Sequence, residues 1–437
     1  MVSCSGELHR NGKMSENYIV SKGELFLTYE HNGSRFILAL KLDPLVTKWE
    51  KKIADLTDEP VFRLYGDNIV TNCKDGEICF LSRENGSKNF SFESSVIMKK
   101  GYKGLTVLEN RAYSLCRKNE ICSFNIETKE KLWSHQLEEG TDIVFDFMIE
   151  GEKLFFGTEN QIHALSIKTG KKIWTSDELP DLKTYYTVGE TLLVNYEVIE
   201  GLDFNDGKSK WLTPYAGDRI RCVMDGLMIG QSETHFNTLF VENGIETTNY
   251  KREGITMLDC QSELSLAAYT VRKNPDAREV AEYFDRIDIF NAGTGERVFD
   301  FRAEEGKTVL NIAAMHKDYF YIVVADVETD RNARVDRHSY FEWEHDISYH
   351  IPDPQSGKNI YITLTHIDSE YTIFRSAIFD FSENTPTKNH LYSSQSGEFI
   401  GELIKHPDII TPNVAYDIVI YDTYFNIIEK KITDFLL

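Results

Sequence analysis

Apolar and polar residues alternate along most of the chain in short runs, separated by turns rich in Gly, Asn, Asp, Lys and Thr. A period of two turns one side of each run toward a buried face and predicts strands. The clearest stretch lies between Lys153 and Trp174, KLFFGTENQIHALSIKTGKKIW. It reads as a strand ending in Gly157, a turn, a strand Ile162 to Ile167, the tight turn Lys168-Thr169-Gly170-Lys171, and a strand reaching Trp174. Two earlier segments share this layout: AYSLCRKNEICSFNIETKEKLW closes at Trp133, and IVTNCKDGEICFLSRENGSKNF closes at Phe90. Cys73 and Cys116, Cys79 and Cys122, and Phe90 and Trp133 are each 43 residues apart. Three landmarks that move together mark a repeat.

In this register the large residue closing each unit falls at Trp49, Phe90, Trp133, Trp174, Trp211, Tyr250 and Phe299, in steps of 41, 43, 41, 37, 39 and 49. Each unit reads as a four-stranded antiparallel sheet. So small a sheet cannot bury both of its own faces, whereas radial stacking covers them and leaves only short edges. The expected fold is therefore all-β, a single β-propeller of four-stranded antiparallel blades over residues 1–437, since no Ser-rich, Pro-rich or like-charge linker divides the chain. The longest step is assigned to a charged insertion, KNPDAREVAEYFDR, at residues 273–286. Beyond Phe299 the register weakens. One further blade plus a large insertion at 327–358 gives an expectation of eight blades, with seven as the alternative.

The run ALSIKTGKKIW, with its cousins FNIETKEKLW, LALKLDPLVTKW and IFNAGTGERVF, resembles the repeat of pyrroloquinoline-quinone-type propellers, whose units read roughly A-L-D-x-x-T-G-x-x-x-W. The likeness covers about residues 16 to 301. That family includes quinoprotein alcohol dehydrogenases and the propeller lipoprotein of bacterial outer-membrane assembly, so the resemblance implies a fold and leaves function open. Its enzymes usually show a Ca²⁺ site of carboxylate and amide oxygens, a catalytic Asp and often an adjacent Cys-Cys pair. No Cys-Cys occurs here, since the cysteines stand at 4, 73, 79, 116, 122, 222 and 260. A non-enzymatic member is expected, with a quinone-dependent oxidoreductase as the catalytic alternative.

Composition narrows the partners. Lys and Arg number 48 against 70 Asp and Glu, a formal charge of −22, and this argues against nucleic acid, which needs clustered cations, and for a basic partner. The longest apolar run, Tyr319 to Ala325, is far short of the roughly 20 residues that cross a bilayer. The opening residues MVSCSGELHRNGKM hold no apolar core of an export signal, so the cytoplasm is the expected compartment, the periplasm being the alternative if a signal has been removed. Seven scattered cysteines with no C-x-x-C spacing read as reduced thiols.

No G-x-S-x-G, H-E-x-x-H, P-loop or G-x-G-x-x-G motif is present, and no catalytic, cofactor or metal residue is assigned. His338, His345 and His350 lie among Glu342, Glu344 and Asp346, a possible Zn²⁺ donor set, but on one extended strand His345 faces away from the other two. A solvated charged hairpin is the expected reading. Cys73 with Cys79, and Cys116 with Cys122, flank polar turns and could lie across a hairpin. The next unit has Gly157 and His163 at those places, so small core-facing residues are expected rather than ligands. Trp49, Trp133, Trp174 and Trp211 read as packing anchors.

The segment Asp326 to His350 is then the best candidate for function, because long loops on a rigid scaffold are disproportionately functional. It carries seven acids against three arginines. Tyr340, Phe341 and Trp343 stand beside Glu342, Glu344 and Asp346, rings to be buried by a basic protein and acids to steer it. The expected function is a non-catalytic protein-binding propeller, monomeric in isolation, that inhibits a cognate toxin or enzyme in the manner of an immunity protein. A scaffold subunit of a larger assembly is the alternative.

Overall fold

Nine four-stranded antiparallel meanders follow one another along the chain, at residues 18–54, 62–93, 105–136, 148–175, 184–212, 219–251, 255–302, 307–350 and 360–406. We refer to them as blades one to nine. The hairpin Ala415–Tyr421 and Ile427–Lys431 extends the ninth sheet to six strands. This computed structural model describes residues 18–431 with interruptions, the longest at 55–61, 95–104, 273–283, 352–359, 379–386 and 407–414. Among the described residues there is no α-helix. The chain divides into two compact units, one of Met1–Arg219 with Val241–Gly244, the other of Ile220–Phe240 with Ile245–Leu437.

Burial explains why these runs become strands. Second and third strands are covered on both faces: Thr191–Asn195 is buried throughout, and Glu77–Ser82 at its four central positions. Fourth strands such as Lys131–Gln136 bury one ring and leave their neighbours exposed, which is why only they alternate cleanly. The cover comes from adjacent sheets. Val70, Phe80, Phe90 and Phe92 of blade two share one apolar cluster with Ala112, Cys122 and Phe124 of blade three, Phe92 lying flat on Phe124 at 4.4 Å between ring centroids.

The count of nine corrects the expected eight. In all nine sheets the third and fourth strands slip register by one residue at the same place, as between Ala164 and Leu165 or between Arg337 and His338. Residues 327–358, expected to be an insertion, contain the strands Arg334–Ser339 and His345–His350, the third and fourth of blade eight. The other expected insertion lies outside the described residues at 273–283, and its last three residues begin the strand Phe284–Asn291.

The turn before each fourth strand has one residue in the left-handed region: Gly86, Lys129, Gly170, Gly207, Gly244, Gly295, Trp343 and Gly397 in blades two to nine. In blades two to five, seven and eight the side chain that reaches the following blade stands four residues later. The Trp49 indole covers Gly86 and its Nε1 donates to the Arg83 carbonyl at 3.0 Å. Trp133 does the same at Gly170 and Ile167, Trp174 at Gly207 and Phe204, Trp211 at Gly244 and Val241. Only glycine tolerates both the positive φ and the ring, since a Cβ on Gly170 would stand 2.4 Å from Trp133 Cε3. Blade six has Thr248 at this position, not the expected Tyr250, which lies two residues further along the same strand.

Six cysteines meet in pairs, which corrects the expectation of reduced thiols. Cys73–Cys79 and Cys116–Cys122 are disulfides within the hairpins of second and third strands in blades two and three. Cys222–Cys260 joins the first strand of blade six to the first strand of blade seven, with Cα atoms 6.3 Å apart. It bridges the seam where Thr248 replaces a docking indole.

Candidate protein-contact site

The turn 340–344 connects the third and fourth strands of blade eight and is tied by Ser339 N–H to the Glu344 carbonyl at 3.1 Å and Trp343 N–H to the Ser339 carbonyl at 3.0 Å. Trp343 takes the left-handed position with φ of 57°, the place held by glycine in most other blades. Its ring is half-buried. It stacks on Phe299 of blade seven, centroids 5.1 Å apart and planes 15° from parallel. Tyr340 is buried against Phe320, 5.3 Å away, and edge-on to Trp343.

Two of the three expected contact rings therefore anchor the turn to its own core, and the third is displayed. Phe341 is 72% exposed, the most exposed large apolar side chain among the described residues. Glu342 and Glu344, in the same turn, are also exposed. Asp346 is exposed but already engaged, accepting from Arg337 Nε at 2.8 Å. The buried Arg337 guanidinium lies over the Tyr319 ring of its own blade and donates to the Ser394 carbonyl at 2.8 Å, a bond that ties blade eight to blade nine.

Behind the turn lies a polar cluster that the sequence did not single out. Asp336 is buried and accepts from Arg334 Nε through both oxygens at 3.0 Å and from Ser348 Oγ at 2.7 Å. His345 Nε2 is 2.8 Å from Ser348 Oγ. A serine hydroxyl has one proton, and here it goes to the carboxylate, so His345 donates to Ser348 instead of taking its proton. Nucleophile activation needs the opposite order, and the cluster holds structure rather than an activated serine.

The three histidines do not form a metal set. His338 is buried and stacks on Phe320 at 5.1 Å, and burial pushes its imidazole down to about 4. His345 packs edge-on to it from the neighbouring strand, and His350 is exposed. The expectation that His345 faces away assumed one extended strand, whereas a turn and a bulge bring it back beside His338. Among the described residues, the one group of three His, Cys, Asp or Glu side chains with ligand atoms within reach of one another is Cys116, Glu120 and Cys122. Two sulfurs and one carboxylate are not the hard oxygen donors a quinone-associated Ca²⁺ would need, so this trio does not fit that ion.

Similarity to known proteins follows the repeat. The family described as outer membrane protein assembly factor BamB matches residues 47–177 and 92–226. No curated protein sequence matches the chain. A solved structure described as the eukaryotic initiation factor is similar over 88% of this chain and 96% of its own, at 10% identity and a TM-score of 0.56, which shows the shared fold. BamB from Moraxella catarrhalis aligns over 72% of this chain and 91% of its own at 13% identity and a TM-score of 0.42. The quinohemoprotein alcohol dehydrogenase ADHIIG from Pseudomonas putida HK5 aligns over 74% and 71% at 8% identity and a TM-score of 0.41.

Proposed function

From a chain whose repeats belong to the pyrroloquinoline-quinone-type propeller superfamily, carried most clearly by residues 47–226, we propose a non-catalytic protein-binding propeller. Its partner is a basic protein that docks on the turn 340–344. The observation that supports this most is Phe341, an exposed ring that shares with the exposed Glu342 and Glu344 a turn anchored by Tyr340 and Trp343. A rigid aromatic anchor loses little conformational entropy on binding, and the net charge of −22 accelerates encounter with a cationic surface.

Two finer readings differ in stoichiometry. An inhibitor or immunity-type protein would hold one enzyme or toxin tightly and cover its site, a reading supported by the charge and the absence of catalytic motifs. A scaffold would hold several partners weakly, a reading supported by the match to an assembly-factor family. The compartment is part of the proposal. Three disulfides favour an oxidising one, the periplasmic alternative, over the cytoplasm.

The test is pull-down with the full chain from cells of its own species at low and moderate salt, beside the variants Phe341→Ala and Glu342→Lys/Glu344→Lys. Loss of the same bound protein in both variants, with unchanged thermal unfolding, supports the site. Retention of every partner by both variants overturns it, and the molar ratio separates inhibitor from scaffold.

A further inference from the structure

Blades two and three share a motif found in no other blade, C-x-x-x-E-I-C: Cys73, Glu77 and Cys79, then Cys116, Glu120 and Cys122. The places equivalent to the second set in blade four hold Gly157, Gln161 and His163. In both blades the two cysteines face each other across a hairpin, with Cα atoms 5.8 and 5.7 Å apart, and the glutamate begins the third strand beside them. Glu77 Oε2 is 3.9 Å from Cys79 Sγ, and one ligand atom each from Cys116, Glu120 and Cys122 lies within 4.8 Å of the others.

A disulfide alone accounts for the cysteines but not for the glutamate, nor for its cation. Lys88 Nζ is 3.1 Å from Glu77 and Lys131 Nζ is 2.9 Å from Glu120, two lysines themselves 43 residues apart. Two thiolates, one carboxylate, a divalent cation and this ammonium sum to zero charge. Two soft sulfurs with one carboxylate select a thiophilic divalent ion over Ca²⁺ or Mg²⁺, and three protein donors leave a fourth tetrahedral position for water.

We propose that each hairpin is a redox-gated Zn²⁺ site: closed as a disulfide when oxidised, and a Cys–Glu–Cys ligand set when reduced. Opening requires an external dithiol. Its two electrons and two protons break the Sγ–Sγ bond to give two thiols, while the dithiol itself becomes a disulfide. Zn²⁺ then displaces the two thiol protons to solvent, so binding strengthens as pH rises. Cys79 and Cys122 are fully buried, whereas Cys73 is half-buried and Cys116 slightly exposed, so the nucleophile enters at the first cysteine of each motif.

The experiment titrates the full chain with Co²⁺, oxidised and after anaerobic reduction and removal of the reductant. Reduced protein is expected to take up two Co²⁺ with strong near-ultraviolet thiolate-to-cobalt absorption that Zn²⁺ abolishes, and oxidised protein none. Cys116→Ser/Cys122→Ser is expected to halve the stoichiometry. Glu120→Gln is expected to weaken one site about tenfold while its absorption band remains, and Cys222→Ser to leave both sites intact. Reduced wild-type protein that develops no thiolate band overturns the proposal without reliance on any variant. So does a stoichiometry that Cys116→Ser/Cys122→Ser leaves at two.

Discussion

Phe299 lies flat on Trp343 across the seam of blades seven and eight, 5.1 Å between centroids. The usual arrangement is reversed there, because the large indole sits on the turn and the smaller ring on the preceding strand. The same compensation appears between blades two and three. Phe90 stands where a docking Trp would, and the turn it faces has Lys129, with φ of 64°, in place of glycine. Glycine stands on every described turn that an indole covers, and the two described turns without it follow blades whose anchor is a phenylalanine.

Gly170→Ala puts a Cβ into the Trp133 ring at a left-handed φ and is expected to destabilise the protein by about 2–4 kcal/mol. Gly189→Ala, with φ of 57° and nothing within 4 Å, is the control for backbone strain alone and should cost about 1 kcal/mol. Urea unfolding of the pair checks it; equal costs would mean that the indole yields freely.

Trp174→Phe keeps an aromatic ring but removes the donor to the Phe204 carbonyl, and is expected to cost about 1–2 kcal/mol. Trp174→Ala removes the ring as well, at about 3–5 kcal/mol. The difference in denaturation midpoint between the two variants measures how the dock divides between packing and hydrogen bonding.

At the seam of blades six and seven, Thr248 Oγ1 is buried without a hydrogen-bond partner where four other seams have an indole N–H. The covalent bond Cys222–Cys260, with a sequence separation of 38, supplies what the dock does not. Cys222→Ser should lower stability by roughly 4 kcal/mol from loop entropy. Thr248→Trp in that background should recover part of the loss. Unfolding curves of the single and double variants decide this, and a double variant no better than Cys222→Ser alone would break the link between the two features.

His163 stacks on Phe156 and hydrogen-bonds Thr175, and burial pushes its imidazole down to about 4, as it does for His338. The folded state therefore binds fewer protons than the unfolded state between pH 6.5 and about 4. Stability is full above pH 6.5, falls with decreasing pH through that window by up to about 3 kcal/mol per histidine, and levels off below it. His163→Asn should flatten part of the slope in denaturation measured from pH 7 to 4.

Up to Phe299 the repeat was legible because glycine, aromatic anchor and strand alternation moved together. Blade eight was not, for a physical reason. Trp343 occupies its glycine position and Ile347 its aromatic one, so both markers were exchanged for residues that suggest something else. Its third strand reads RVDRHS, a string that looks solvated, yet all three residues Asp336, Arg337 and His338 are buried: Asp336 accepts from Arg334 and Ser348, Arg337 donates to Asp346, Tyr349 and Ser394, and His338 stacks on Phe320. The aromatic cluster of the contact site misled in the same way. Rings that seemed displayed for a partner are needed by the turn itself, and only Phe341 is left outside. Pairing of the cysteines depended on the geometry of two hairpins and of one seam between blades, which spacing alone did not settle.

The docking column has an evolutionary reading. Blades four and five each lend an indole to the next blade and receive one from the blade before, so a whole blade excised between Trp133 and Trp211 leaves behind a ring and a turn that still match. Copy number can change there as teeth are added to a zip. Between Thr248 and Trp343 the parts are no longer interchangeable: one seam is held by a covalent bond and the next by a reversed pair. Relatives of this chain should therefore vary in blade number on its amino-terminal side and keep blades six to eight together as a block.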